Sequence, residues 1–343
     1  MYYLSLQSLR GIFALFIFFH HFAFISGGDG LFAAGGDSGV AFFFILSGFV
    51  MSQGYMSREA VCTSGKSFFV FIGKRFSKIY PLHLLCLAGA IAIDSFTFRY
   101  ADIANVLLLQ AWVPDASWYF SGNSVGWCLS DFLFFYSVFP LLCHAYRNHR
   151  KTFLRIYVIA TVLFLVLIVP AIGNKWVDAV VYISPLTRLL DFIFGILLWE
   201  VYRSFTTIYH IGRRAFYDGI SGLLCLIATI IFWYVVPSRY GLSILWWPAS
   251  ALLIWYAITS GQKVLSFKPL VWFGNISFSF YLIHVLAIRY IDLFLRKTDI
   301  CLNPYVRLAL ILFLTVIAAW LIHKYFVTPI EKAIRAKLNV ITT

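Results

Sequence analysis

The chain has 343 residues, of which 62% are hydrophobic, 20% aromatic and only 12% charged, with a formal net charge of +13 at neutral pH. Soluble domains carry about 25% charged residues, so this composition cannot cover a water-facing surface and excludes a soluble enzyme. The basic excess would suggest nucleic acid in a soluble protein, but its distribution along this chain follows a membrane instead, and no nucleic-acid partner is implied.

Six cysteines, Cys62, Cys86, Cys128, Cys143, Cys225 and Cys301, stand singly with no Cys-x-x-Cys pair. Neither a metal site nor a disulfide framework is indicated, and small apolar residues in or beside spans are expected. Arg10 precedes a long apolar run with no small-residue cleavage site after it. This is the pattern of a first span that stays, not of a removable leader.

Apolar runs bounded by charges or turn residues predict ten helices, near 4–26, 38–55, 80–96, 126–144, 153–172, 186–203, 216–236, 243–259, 275–295 and 304–327. The apolar stretch 103–112 is too short to span and is expected to lie in the interface or to re-enter. No internal repeat or low-complexity linker divides the chain, so residues 1–343 read as one membrane-embedded domain. The fold expected is an all-α, polytopic bundle of about ten transmembrane helices in the bilayer of the cell's inner (plasma) membrane. Basic residues orient it. With a cytoplasmic N-terminus, the inner segments 58–78, 147–155, 203–214, 263–268 and 324–337 hold eighteen Lys and Arg, against five in the outer segments. That bias places both termini in the cytoplasm.

An ionisable side chain within a span costs a few kcal/mol, so each needs a reason. Arg10 and His21 are eleven residues apart, about three helical turns and roughly 16 Å of rise, and project from one face. His20 points about 80° away from Arg10 on the same wheel. The pair reads as two stations on one pathway, or as a snorkelling Arg and a packed, hydrogen-bonded His. Arg188 and Asp191, spaced i, i+3, can pair on one face, for structure or to bind an acceptor from the outer side. His284, deep in the ninth predicted span, is a second polar station or a satisfied core histidine. Trp127 and Tyr281 are candidates for stacking on a sugar ring, with an aromatic belt as the plainer alternative. Lys74, Arg75 and Lys78 are an inner-side basic cluster, a topology signal or a site for an anion. No cluster of His, Cys and carboxylates has metal-ligand spacing, so no metal is expected.

Several motifs together resemble one known family. Leu6-Gln7-Ser8-Leu9-Arg10-Gly11-Ile12, with His21 after ten intervening residues, resembles the opening motif of the acyltransferase-3 family of membrane O-acyltransferases. Gly39-Val40-Ala41-Phe42-Phe43-Phe44-Ile45-Leu46-Ser47-Gly48-Phe49 is similar to its second-span motif, and Lys74-Arg75-Phe76-Ser77-Lys78-Ile79-Tyr80-Pro81 to its basic entry to the third span. Trp127-Cys128-Leu129-Ser130 through Phe139-Pro140, Arg188-Leu189-Leu190-Asp191-Phe192, Ser277 through His284, and Pro329-Ile330-Glu331-Lys332 resemble later motifs in the family's order. One position departs. The fourth-span motif usually carries Glu five residues after the Trp, where this chain has Phe132, with Asp131 one place earlier. Either Asp131 takes the acidic role, as a cap or solvent-facing carboxylate would not, or this branch dispenses with it.

The resemblance implies an O-acyltransferase that takes an acyl group from cytoplasmic acyl-CoA, acetyl-CoA first, to a hydroxyl of a cell-surface or lipid-linked glycan. His21 would be the general base or transient acyl carrier. Arg10, with Lys74, Arg75 and Lys78, would hold the polyanionic donor. Some family members carry an extra hydrolase-like domain; without one, this chain is expected to act alone or with a separate partner. The rival class is a transporter whose intramembrane charges line a substrate path. Transporters often show two repeated halves, which the sequence lacks.

Overall fold

The computed structural model describes residues 3–26, 35–56, 65–94, 97, 99–208, 242–259 and 261–342. Among them there is no strand. In chain order the helices are α1 (Leu4–Ser26), α2 (Gly35–Tyr55), α3 (Gly65–Ile93), α4 (Tyr100–Val106), α5 (Ala116–Tyr119), α6 (Trp127–Asn148), α7 (Arg150–Leu163), α8 (Val169–Ala171), α9 (Pro185–Ile208), α10 (Trp247–Ile258), α11 (Gln262–Leu265), α12 (Lys268–Lys297), α13 (Pro304–Ile322) and α14 (Thr328–Thr342). The π-helical turns Phe164–Ile168 and His323–Val327 carry α7 into α8 and α13 into α14. Among the described residues eight helical stretches are long and apolar enough to cross a bilayer, and the apolar helix 243–258 is shorter. The chain is a multi-pass, all-α membrane protein. The span predicted at 216–236 lies outside the described residues.

Two helix pairs make the centre of the bundle, and both meet at glycine. α1 runs along α12, and α2 along α9. A Cβ on Gly274 would overlap the Gln7 carbonyl, and in the second pair a Cβ on Gly48 would overlap the Phe192 carbonyl while one on Gly195 overlapped that of Ile45. In lipid there is little hydrophobic drive between helices, so close backbone approach and dispersion hold such pairs together. Gly48 therefore serves packing. α1 and α12 run parallel, with Gln7 beside Gly274, Phe18 beside Phe280 and His21 beside His284. A first and a ninth span do the same. α7, by contrast, buries no residue, and Ile156, Val158, Ile159 and Val162 are exposed on its surface.

The third helix begins well before the predicted 80–96, at Gly65. The difference is physical: Lys74, Arg75 and Lys78 interrupt the apolar run in sequence, but in the fold they turn toward a cavity and leave the helix unbroken. The short stretch 103–112 forms α4 and the 3-10 turn Gln110–Trp112. Its Asp102, Asn105 and Gln110 are fully buried, and His83 of α3 donates from Nε2 to the Asn105 carbonyl at 2.8 Å. Irregular backbone at membrane depth is tolerated where it is covered by protein in this way. Asn123, at the end of the same connection, donates to the Leu282 carbonyl at 2.8 Å and so docks it on α12.

Candidate functional site

A cavity of about 180 Å³ lies between α1, α2, α3, α6, α12 and α14. Arg10, Lys74, Arg75, Lys78 and Arg335 line it together with Gln7, Ser47 and Tyr136. Its walls are otherwise largely apolar, with Phe43, Phe44, Phe132 and Phe278 among them beside Ser277, and Cys128 and Tyr281 lie farthest from the cations along their helices. All four residues expected to hold the donor therefore share one cavity. Arg75 stands with its guanidinium carbon 5.3 Å from the Tyr55 ring centre and 5.6 Å from that of Phe71, an arrangement that favours Arg over Lys. The cavity joins a cluster of cations to a largely apolar, aromatic-lined stretch.

His21 does not line this cavity. It lies seventeen residues into α1, about 26 Å along the helix from Leu4 and so toward its other end. There it meets His284, from α12. His284 Nδ1 is 2.5 Å from the Tyr281 carbonyl, and a carbonyl only accepts, so Nδ1 carries the proton and donates. In a neutral ring that leaves His284 Nε2 as an acceptor. It stands 3.1 Å from His21 Nδ1, which in turn is 2.9 Å from the Ile17 carbonyl. His21 Nδ1–H donates to both, and His21 Nε2 keeps its lone pair. His284 is fully buried, whereas His21 is half-buried. The arrangement makes His284 an acceptor that orients the His21 ring and leaves the lone pair of His21 on Nε2.

His20 takes the other direction predicted from the wheel. Its ring lies 5.1 Å from that of His21, edge to face, and faces the backbone of Gly36 in α2. Tyr281 connects the two halves of the site. Its hydroxyl is 3.0 Å from Cys128 Sγ and donates to the Val125 carbonyl at 3.2 Å, its ring faces Phe43 at 6.1 Å, and its carbonyl holds His284.

The remaining expected site residues form a separate buried group. Arg188 and Asp191 are fully buried and paired at 3.2 Å, as the i, i+3 spacing allows. Arg188 Nε also donates to the Tyr182 carbonyl at 2.5 Å, and Trp247 Nε1 donates to Asp191 at 2.6 Å. Asp131 is fully buried, so it is neither a cap nor a solvent-facing carboxylate. It also does not line the cavity, whereas Phe132, at the position where the motif carries Glu, does. The charges that act on Asp131 are those of Arg188 and Asp191. Asp131 lacks a hydrogen-bond partner at both carboxylate oxygens, and Arg188 lacks one at Nη2. An acid role for Asp131 at the cavity finds no support in this geometry, because the helix turns it about 100° away from the face that Phe132 occupies. Trp127 is buried between Phe44 and Tyr182, which leaves it no open face for a sugar.

Sequence reasoning missed two participants, Arg335 and Trp247, and one pairing. Arg335 counted only toward topology, and nothing local tied it to a cavity formed mostly by α1, α2 and α3. Trp247 and Asp191 are far apart in the chain, so their bond had no local signal. His284 and His21 were each singled out, but their pairing across the bundle was not. Among the described residues no group of three His, Cys, Asp or Glu could hold a metal ion.

A membrane-embedded bundle with this pair of sites can be set against known families. The model of the acyltransferase domain that defines the acyltransferase-3 family matches residues 3–324. The chain belongs to the acyltransferase-3 family and is a membrane enzyme that transfers acyl groups other than aminoacyl groups. Among curated proteins it is similar to the acyltransferase MdmB of Streptomyces mycarofaciens, 29% identical over 283 residues, which covers 74% of this chain and 69% of that one. It is also similar to the O-acetyltransferase OatA of Staphylococcus aureus, 24% identical over 342 residues, 87% of this chain and 53% of that one. The chain thus spans about half the length of OatA. No solved structure matches the chain at a significant level.

Proposed function

We propose that this enzyme moves an acyl group, acetyl first, from cytoplasmic acyl-CoA to a hydroxyl of a cell-surface or lipid-linked glycan. The observation that carries this reading is the cavity itself, with Arg10, Lys74, Arg75 and Lys78 at one end, aromatic walls, and Tyr281 leading to the His284–His21 pair. Coenzyme A is a polyanion on a long, weakly polar arm that ends in a thioester. Guanidinium and ammonium groups suit its phosphates, and the phenylalanine walls suit the arm. Acetyl is favoured by the name of the relative OatA.

In the transfer, the acceptor hydroxyl attacks the thioester carbonyl and gives its proton to His21 Nε2. The acyl–sulfur bond breaks as the acyl–oxygen bond forms, and the thiolate of coenzyme A recovers the proton from His21. In a two-step route the same Nε2 lone pair takes the acyl group first and passes it on. The eighteen-to-five basic bias supports cytoplasmic termini and therefore a donor entering from the cytoplasm of an inner-membrane protein. On that orientation His21 lies toward the outer surface, where a glycan acceptor would meet it. Asp131, Arg188 and Asp191 serve the bundle's internal charge balance in this reading.

The experiment is transfer by purified protein in detergent, with release of free coenzyme A and glycan mass measured together. Acetyl-CoA-dependent thiol release with a gain of one acetyl unit on the glycan is expected. Acceptor binding or translocation with no thiol release would overturn the reading.

A further inference from the structure

The family match ends at residue 324, and the cavity has a wall beyond it. That wall is α14, an amphipathic helix whose Leu338 is buried against Gly73 of α3, where a Cβ would stand 2.9 Å from the leucine methyl. The seating brings Arg335 into the cavity lining, with Nη2 3.5 Å from the Lys74 carbonyl and 2.7 Å from Glu331. Two guanidinium groups in this lining, those of Arg335 and Arg75, each keep a buried Nε–H with no hydrogen-bond acceptor. Unpartnered buried donors on cationic groups are costly, and an anionic oxygen is their natural complement.

The cations fall in two tiers. Arg335 is level with Lys74 and Arg75, whereas Lys78 is one helical turn, about 6 Å, farther along α3. Lys78 feels the charges of Arg10 and Glu331 most, and those of Arg75 and Arg335 less. A donor with its thioester toward Tyr281 would present its nucleotide end to the outer tier. Coenzyme A carries two separated anionic groups there, the pyrophosphate and the phosphate on the ribose 3′-oxygen. Resting on the donor proposed above, we infer that Arg335, with Arg75, binds the ribose 3′-phosphate and so selects coenzyme A thioesters over those of dephospho-coenzyme A. Arg10 and Lys78 take the pyrophosphate. The C-terminal helix is then a specificity element for the donor.

The test compares acetyl-CoA with acetyl-dephospho-CoA in purified full-length protein, in neutral detergent free of anionic lipid. Arg335→Gln should raise the KM for acetyl-CoA about tenfold at nearly constant kcat, and leave the KM for acetyl-dephospho-CoA within twofold of wild type. Arg335→Lys, which keeps the charge without the planar fork, should recover part of the loss. An equal rise for both donors would assign Arg335 to the pyrophosphate or to folding, and no rise for either would remove it from the site; both overturn the proposal. A KM change seen only in bilayers containing phosphatidylglycerol would assign Arg335 to a lipid headgroup and overturn it as well. If wild-type protein uses neither donor while Arg75→Gln and Arg335→Gln still fold, the function proposed above falls, and this inference with it.

Discussion

His284 Nε2 accepts a hydrogen bond from His21 Nδ1 at 3.1 Å, across 263 residues of chain. Two carbonyls give the bond its direction: that of Tyr281 accepts from His284 Nδ1–H, and that of Ile17 accepts from His21 Nδ1–H. A side chain that cannot accept at that point would leave His21 Nδ1–H with the Ile17 carbonyl alone and loosen the ring that presents Nε2. His284→Leu should therefore lower kcat by about 10²-fold, the scale of losing a positioned group, with little change in the KM for the donor. His284→Gln, whose amide oxygen can accept from Nδ1, should retain more activity than His284→Leu. Equal losses in the two variants would reduce His284 to packing.

The donor cations give a different kinetic signature. Arg75→Gln removes a guanidinium that lines the cavity with an unpaired Nε–H. Hydrogen bonds to charged groups contribute about 1.5–3 kcal/mol, so the KM for acyl-CoA should rise roughly 10-fold or more, with a smaller change in kcat. Steady-state kinetics on matched amounts of protein check this. An unchanged KM places the donor elsewhere.

Asp191 separates a structural role from an acceptor role. It is buried between Arg188 and Trp247. Asp191→Ala breaks the buried ion pair with Arg188, which costs about 3–5 kcal/mol in comparable pairs. Trp247→Phe removes only one donor and should cost about 1–3 kcal/mol. Thermal unfolding in detergent should rank Asp191→Ala below Trp247→Phe, and Trp247→Phe below wild type. Wild-type stability with lost transfer in Asp191→Ala would return the residue to the acceptor site.

The glycine crossing of α2 and α9 predicts a contrast within one residue type. Gly195→Ala would force its Cβ into the Ile45 carbonyl, and overpacking of this kind costs about 1–3 kcal/mol. Gly54→Ala, in the last turn of α2, meets nothing within 4 Å and should be neutral or stabilising by about 0.5–1 kcal/mol. Equal melting temperatures for the two variants would contradict the close approach.

Much of this was legible in the sequence because lipid removes ambiguity. A charge in an apolar run has to be explained one by one, and that led to Arg10, His21 and the cluster at Lys74, Arg75 and Lys78. Helical periodicity also separated His20 from His21 and paired Arg188 with Asp191. Periodicity says nothing about which helices are neighbours. The meeting of His21 with His284 depends on a glycine crossing between distant segments, and that of Asp191 with Trp247 on the packing of α9 against α10. Nor can an isolated carboxylate show its direction. Asp131 read equally as an acid or a cap, and only the fold turns it from the cavity and gives that face to Phe132. Arg335 was hidden for a third reason, since basic residues after a last span also serve as an orientation signal.

The two adjacent histidines offer the sharpest test. His21 holds the oriented bond to His284, whereas His20 faces Gly36 of α2. The measurement is acetyl transfer, read as release of coenzyme A, by matched amounts of wild type, His20→Ala and His21→Ala in membranes. His21→Ala should fall at least 10²–10⁴-fold, the range of general acid–base catalysis, and His20→Ala should keep most of the wild-type rate. Full activity in His21→Ala, or a reversed order of the two variants, would contradict the assignment of His21 as the group that moves the proton.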